Sequence, residues 1–130
     1  MNYRLFFHFH LLCQIKETLG ISGILCNAHT WACKPFTDAD GRNWKGGQID
    51  LLLDRSDNVV NICEMKYSSD AYAITASYEE QLRNRATLLQ KQTNTRKALQ
   101  HVFITTYGVA QNAYSHIVQN DVKLDDLFRE

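Results

Sequence analysis

Two short apolar runs, Gln48-Ile-Asp-Leu-Leu-Leu-Asp54 and Val59-Val-Asn-Ile-Cys-Glu-Met-Lys66, stand on either side of Arg55-Ser-Asp-Asn58. Such runs, rich in Ile, Leu and Val and split by turn-forming residues, predict a β-hairpin with mostly buried strands. Buried strands tolerate charge poorly, yet Asp50 sits in the first run, and Glu64 and Lys66 close the second. Alternate side chains on a strand share a face, so Glu64 and Lys66 point the same way. Asp50 joins them if the connection holds an odd number of residues, for instance Ser56-Asp57-Asn58 with Asn58 left-handed, because residue 50 then lies opposite residue 64. An even-numbered loop would turn Asp50 to the other side. Three mutually compensating charges are easier to bury together than apart.

The surrounding sequence predicts the frame for this hairpin. A chain of 130 residues, 45% hydrophobic and 22% charged, has the make-up of one globular domain over residues 1–130. Lys plus Arg and Asp plus Glu each number 14, so no global charge draws the chain to nucleic acid or an anionic membrane. Such binding needs a local patch. The most apolar stretch, Leu5 to Ile15, is interrupted by His8, His10 and Gln14 and is shorter than the roughly 20 residues that cross a bilayer. It runs into Gln-Ile-Lys-Glu-Thr with no small-residue cleavage site, and reads as a buried helix. The 4 cysteines form no C-x-x-C pair, as expected of packed thiols in a reducing, cytoplasmic setting. Cys26, His29 and Cys33 lack the fourth ligand of a structural zinc site and fall on a strand and its exit.

Apolar spacing predicts a first helix from Asn2 to Leu19, with Leu5, Phe9, Leu12 and Leu19 on its stripe and Gly20 at its cap. A strand from Ile21 to Trp31 and a loop from Lys34 to Gly47 lead into the hairpin. Ile74, Tyr78, Leu82, Arg85 and Leu89 recur at helical spacing. Leu99 to Tyr107 reads as a strand ended by Gly108, Gln111 to Gln119 as a short helix, and Asp121 to Phe128 as a closing strand or turn. The order is αβββαβ with a tail, an α/β fold with a mixed central sheet flanked by helices.

Grouped on one face, the charged residues suit one chemistry. The Asp50 and Glu64 carboxylates, with the Met65 carbonyl, are hard oxygen ligands for Mg²⁺ or Mn²⁺. Lys66 would then face a phosphate, its ammonium offsetting charge that develops on a phosphodiester. A buried ion-pair network that only pins the hairpin register accounts for the same residues.

Gly46-Gly-Gln-Ile-Asp50, followed after the hairpin by Cys63-Glu-Met-Lys66, resembles the PD-(D/E)XK nuclease superfamily, as does the αβββαβ order. More closely, the run from Gly46 to Ser68, the later Phe-Ile-Thr-Thr-Tyr-Gly and the final Leu-Asp-Asp-Leu-Phe are similar to the C-terminal nuclease-like domain of bacterial predicted AAA-type ATP-binding proteins. The resemblance implies a restriction-endonuclease-like fold, Mg²⁺-dependent hydrolysis of DNA with Asp50, Glu64 and Lys66 as catalytic residues, and attachment to an AAA-type ATPase. Two departures are plain. Arg4 to Lys16 holds no acid where such domains carry one, and no G-x-x-x-x-G-K-[ST] occurs, so this chain is not itself the ATPase. A start at methionine inside the first helix fits a fragment, a mis-set start or a degenerate relic of a longer ATP-binding protein. The rival expectation is therefore a catalytically degenerate module that binds DNA or an ATPase partner.

Between Gln81 and Gln100, Arg83, Arg85, Lys91, Arg96 and Lys97 stand with no acid. Arg83, Lys91 and Lys97 read as solvated. Arg85 falls on the apolar stripe, and in the related fold this helix borders the metal site, so Arg85 and Gln81 are expected to orient a phosphate. Trp31, Trp44, Tyr78 and His101 read as core residues, and Thr105 to Tyr107 as neighbours of the pocket.

Overall fold

The chain turns back at Ser56-Asp57-Asn58, where Asn58 takes a φ of 67°. Asn tolerates this left-handed conformation better than other residues with a Cβ. The loop is thus the odd-numbered one. It pairs Leu51 with Cys63, Leu52 with Ile62, Leu53 with Asn61 and Asp54 with Val60.

A computed structural model describes residues 3–128. Helix α1 (Tyr3–Thr18) leads to β1 (Cys26–Cys33), a small ribbon of β2 (Phe36–Thr37) and β3 (Asn43–Trp44), and the hairpin β4 (Gly47–Arg55) and β5 (Val59–Lys66). Then come α2 (Ala76–Thr93), β6 (Ala98–Thr105), a 3-10 turn at Ser115–Ile117, β7 (Val118–Lys123) and α3 (Leu124–Leu127). The five-stranded sheet runs in the order β1-β4-β5-β6-β7. β1, β4 and β5 are antiparallel, whereas β5, β6 and β7 are parallel. This is a mixed α/β fold with a mixed central sheet.

Each face of the sheet has its own apolar layer. Leu53, Cys63, Val102, Ile104 and Val122 pack with Ile15, Ile21 and Leu127, which places α1 and α3 on one face. Leu52, Val60 and Ile62 meet Leu89 of α2 on the other, where Phe103 also meets Leu82. Burying residues of both parities on β5 and β6 explains their near-continuous apolar sequence. Thr75 caps α2, its hydroxyl accepting from the Tyr78 amide, and Asn94 ends it at φ 55°. These caps fix which side chains of α2 meet the sheet.

The described elements depart from the sequence reading at several boundaries. The first strand starts at Cys26 rather than Ile21, because Ile21 turns back to the Lys16 carbonyl after Gly20 at φ 74°. The predicted Lys34–Gly47 loop contains the β2–β3 ribbon, whose Phe36 and Trp44 rings stack at 6.2 Å. The tail forms strand β7 and helix α3, and the helix expected over Gln111–Gln119 shrinks to the 3-10 turn. Asn2 and the side chains of Leu5 and Phe9 lie outside the described residues. No described helix is long and apolar enough to cross a membrane.

β4 carries one irregularity that sequence periodicity did not anticipate. Against β1, His29 pairs with Leu52 but Trp31 pairs with Ile49, so β4 holds one extra residue at Asp50–Leu51. Such a bulge re-aims side chains and is common beside active sites. It also explains why Ile49 and Leu52, three apart in sequence, share one apolar cluster.

Candidate active site

Glu64 is the centre of the arrangement. It lies on β5 one step beyond Cys63, faces α2 and is 7% exposed. One carboxylate oxygen, Oε1, accepts from Arg85 Nη1 at 3.0 Å, and Oε2 accepts from the Tyr78 hydroxyl at 3.4 Å. Both partners come from α2, whose capped first turn fixes Tyr78 and thereby Arg85 two turns on. Burial pushes the Glu64 carboxyl up from the ordinary range. Arg85 and then Lys66 pull it down, and Asp50 adds a further upward push. Those influences place Asp50, Lys66 and Arg85 within electrostatic reach of one carboxylate.

Lys66 is on the same face of β5, but it does not neutralise Glu64 directly. Its Nζ lies 4.6 Å from the Tyr78 ring centre and 5.9 Å from that of Tyr72. A cation over aromatic faces keeps its charge without being tied to a carboxylate. The sequence reading had Asp50, Glu64 and Lys66 compensating one another. The counter-charge of Glu64 instead comes from Arg85, twenty-one residues away along the chain. Burial pushes the Tyr78 phenol up to about 12, helped by the nearby Glu64. At neutral pH it is therefore a donor to the carboxylate.

Asp50 sits at the bulge, exposed, its Oδ1 accepting from Gln48 Nε2 at 3.2 Å. Met65 packs its side chain into the opposite layer with Leu51 and Cys63, which leaves its backbone carbonyl as the one hard donor it has. Among the described residues, no cluster of three or more His, Cys, Asp or Glu side chains is placed to hold a metal ion. Of the donors expected from the sequence, Asp50 is near enough to raise the Glu64 carboxyl further, and Met65 follows Glu64 along β5. Two carboxylates with a carbonyl fit Mg²⁺, which commonly takes few protein ligands.

A cleft of about 670 Å³ opens between α2 and the segment from Arg42 to Gln48; Arg85, the partner of Glu64, lines it, whereas Asp50, Glu64 and Lys66 do not. Gln81 and Arg85 line one wall, and Arg42 and Lys45 belong to the other. The segment's path is set at Gly46, at φ 80°, where any Cβ would collide with the Cys33 carbonyl oxygen. Asp38 ties the β2–β3 ribbon to α2 by accepting from Trp44 Nε1 at 3.0 Å and from Lys91 Nζ at 3.1 Å. The Trp44 hydrogen bond and the Arg42 amide hold the Asp38 carboxyl well below the usual range. Trp44 and Lys91, read from sequence as a core residue and a solvated cation, are thus joined through this acid. A second hollow of about 700 Å³, between α1 and α3, is lined by His10, Gln14, Glu17 and Asp126 and holds none of the predicted site residues.

The other candidates have structural roles. Cys26 and Cys33 lie at opposite ends of β1, and all four cysteines are free. His101 is buried on β6 with Nδ1 lacking a partner. Burial, then Arg83 and Arg85, lower its pKa to about 4. Thr105 is wholly buried, donates to Asp121 and accepts from the Gly108 amide, and closes the end of β6 rather than facing the cleft. Sequence reasoning missed the part played by Tyr78, read as core alone. Its place one turn before Leu82 and two before Arg85 on a single stripe was the available signal.

Compared with known proteins, the chain matches no family model, no curated protein and no solved structure.

Proposed function

We propose that this chain is a restriction-endonuclease-like domain of the PD-(D/E)XK type that hydrolyses phosphodiester bonds in DNA with Mg²⁺ or Mn²⁺. The single observation that supports the reading is the three-residue turn ending at left-handed Asn58, which carries the β4–β5 ladder to Leu51–Cys63, one step short of Asp50 and Glu64, close enough for Asp50 to raise the Glu64 carboxyl. Glu64 and Asp50, with the Met65 carbonyl, would hold the cation. A divalent ion there supplies Lewis acidity toward water and phosphate. The chain's own groups do the rest. Lys66, in no ion pair among the described residues, offers its ammonium to the extra negative charge of the phosphate in the transition state. Gln81 and Arg85 line the adjoining cleft and orient the phosphate. Tyr78 holds Glu64 in place by its hydroxyl. Free cysteines fit a cytoplasmic protein, and the early resemblance adds an AAA-type ATPase as partner.

A second reading, a nuclease-fold module that binds DNA or such an ATPase without cutting, is favoured by one observation. Glu64 is already paired with Arg85, and Arg4 to Lys16 supplies no further acid.

Metal-dependent cleavage separates the two readings. The protein is titrated with Mg²⁺ or Mn²⁺ over labelled plasmid and linear DNA, beside Asp50→Ala and Lys66→Ala. We expect cutting that needs the metal and falls about 100-fold or more in either variant. Absence of cutting, with metal affinity unchanged in Asp50→Ala, would leave the binding module as the function.

A further inference from the structure

Each Glu64 oxygen has a partner before any cation arrives. Arg85 holds one oxygen at 3.0 Å and Tyr78 the other at 3.4 Å. A divalent ion reaching this carboxylate competes with the guanidinium, because the two would crowd two positive groups around one buried acid. Arg85 has somewhere to go. Its side chain is 25% exposed and lines the cleft of about 670 Å³ together with Gln81, Asn84 and Gln48. The strand facing it presents Gly47, and a Cβ there would come within 3.5 Å of the Arg85 Cγ. That is ordinary contact, so the Arg85 stem lies directly against β4 at the mouth of the cleft. Besides Arg85 the lining carries two cations, Arg42 and Lys45, against one acid, Glu80. A further guanidinium is welcome there only when the cleft holds an anion.

Resting on the metal-site reading above, we infer that Arg85 is an internal counter-ion that masks Glu64 until a phosphate group enters the cleft. It then moves its guanidinium from the carboxylate to the phosphate. Divalent-cation binding and phosphate binding are therefore positively coupled, and by linkage each raises the affinity of the other by the same factor. A planar guanidinium suits the exchange, since it pairs with carboxylate and phosphate through the same fork of donors. Arg85 acts here as a positioning and masking residue, and the device holds the cation site closed in the absence of substrate.

Calorimetric titration of the full chain with Mn²⁺ at pH 8 tests this, with and without a short phosphorothioate oligonucleotide as a slowly cleaved phosphate ligand. For the unaltered protein we expect Mn²⁺ affinity to rise about tenfold when the oligonucleotide is present. Arg85→Gln should bind Mn²⁺ more tightly than the unaltered protein when alone, and gain little from the oligonucleotide. Arg85→Lys, which keeps a cation and tests the idea should the Gln variant fold poorly, should retain a weaker coupling. If Mn²⁺ affinity is equal in the unaltered protein and both variants, yet falls in Asp50→Asn, the exchange is wrong while the metal site stands. If Asp50→Asn leaves Mn²⁺ binding unchanged, the cation sits elsewhere and the metal-site reading fails as well.

Discussion

At the scale of single residues, Asn58 has the widest consequence. Its left-handed φ lets a three-residue turn close the hairpin, and a slip of one residue would invert every side chain of β5 relative to β4. Replacing Asn58 by Ala imposes a Cβ with no compensating local hydrogen bond and should cost about 1 kcal/mol. Asn58→Gly should be close to neutral, and urea unfolding of the two variants checks the difference. This residue was legible in the sequence, because Asn in a turn between two apolar runs has few other uses. The Glu64–Lys66 face was legible for the same reason, since strand alternation is local. The hold of Arg85 on Glu64 was not. It depends on how α2 lies across the sheet, and no local rule relates residues of β5 to those of a helix beginning ten residues later. Asp50 was half legible: the turn carries the ladder as far as Leu51–Cys63, but the bulge at Asp50–Leu51 is visible only against β1.

Among the elements, the β2–β3 ribbon depends most on its neighbours. Each strand has only two residues, too few to persist alone, and Asp38 fastens the pair to α2 through Trp44 and Lys91. Arg42 also lies over the Trp44 ring at 4.3 Å. Asp38→Ala should loosen the wall of the cleft without unfolding the sheet. Amide exchange over residues 36–44 should quicken by about tenfold or more, while β5 and β6 keep their protection. Equal acceleration in the sheet would show that the ribbon and the core open together. Strands this short carry no periodicity, which is why the sequence presented them as a loop. β7 was legible only from Asp121 onward, for another reason. Its parallel pairing with β6 buries little more than Val122, so its residues read as polar.

For the whole molecule, stability is tied to pH through a group deep in the α2 layer. His101 is 6% exposed, and its pKa is lowered to about 4 by burial and by the nearby Arg83 and Arg85. The unfolded chain protonates an ordinary histidine near pH 6.5. Between those values the unfolded state binds more protons than the native one, so stability falls as pH falls through that window and levels off below it. The loss should be about 3 kcal/mol between pH 7 and 4, read as the difference in urea stability between this protein and His101→Leu, in which that component is absent. The sheet also joins two regimes of sequence distance. β4 and β5 meet across a turn, whereas β5 and β6 bring Val59 beside Ala98. Loop closure makes the second pairing the slower. During synthesis, a chain that has left the ribosome through β5 but not α2 carries Glu64 without Arg85. A carboxylate with no counter-charge resists leaving water. The newborn hairpin therefore keeps its Glu64 face wet until α2 emerges and brings the guanidinium with it.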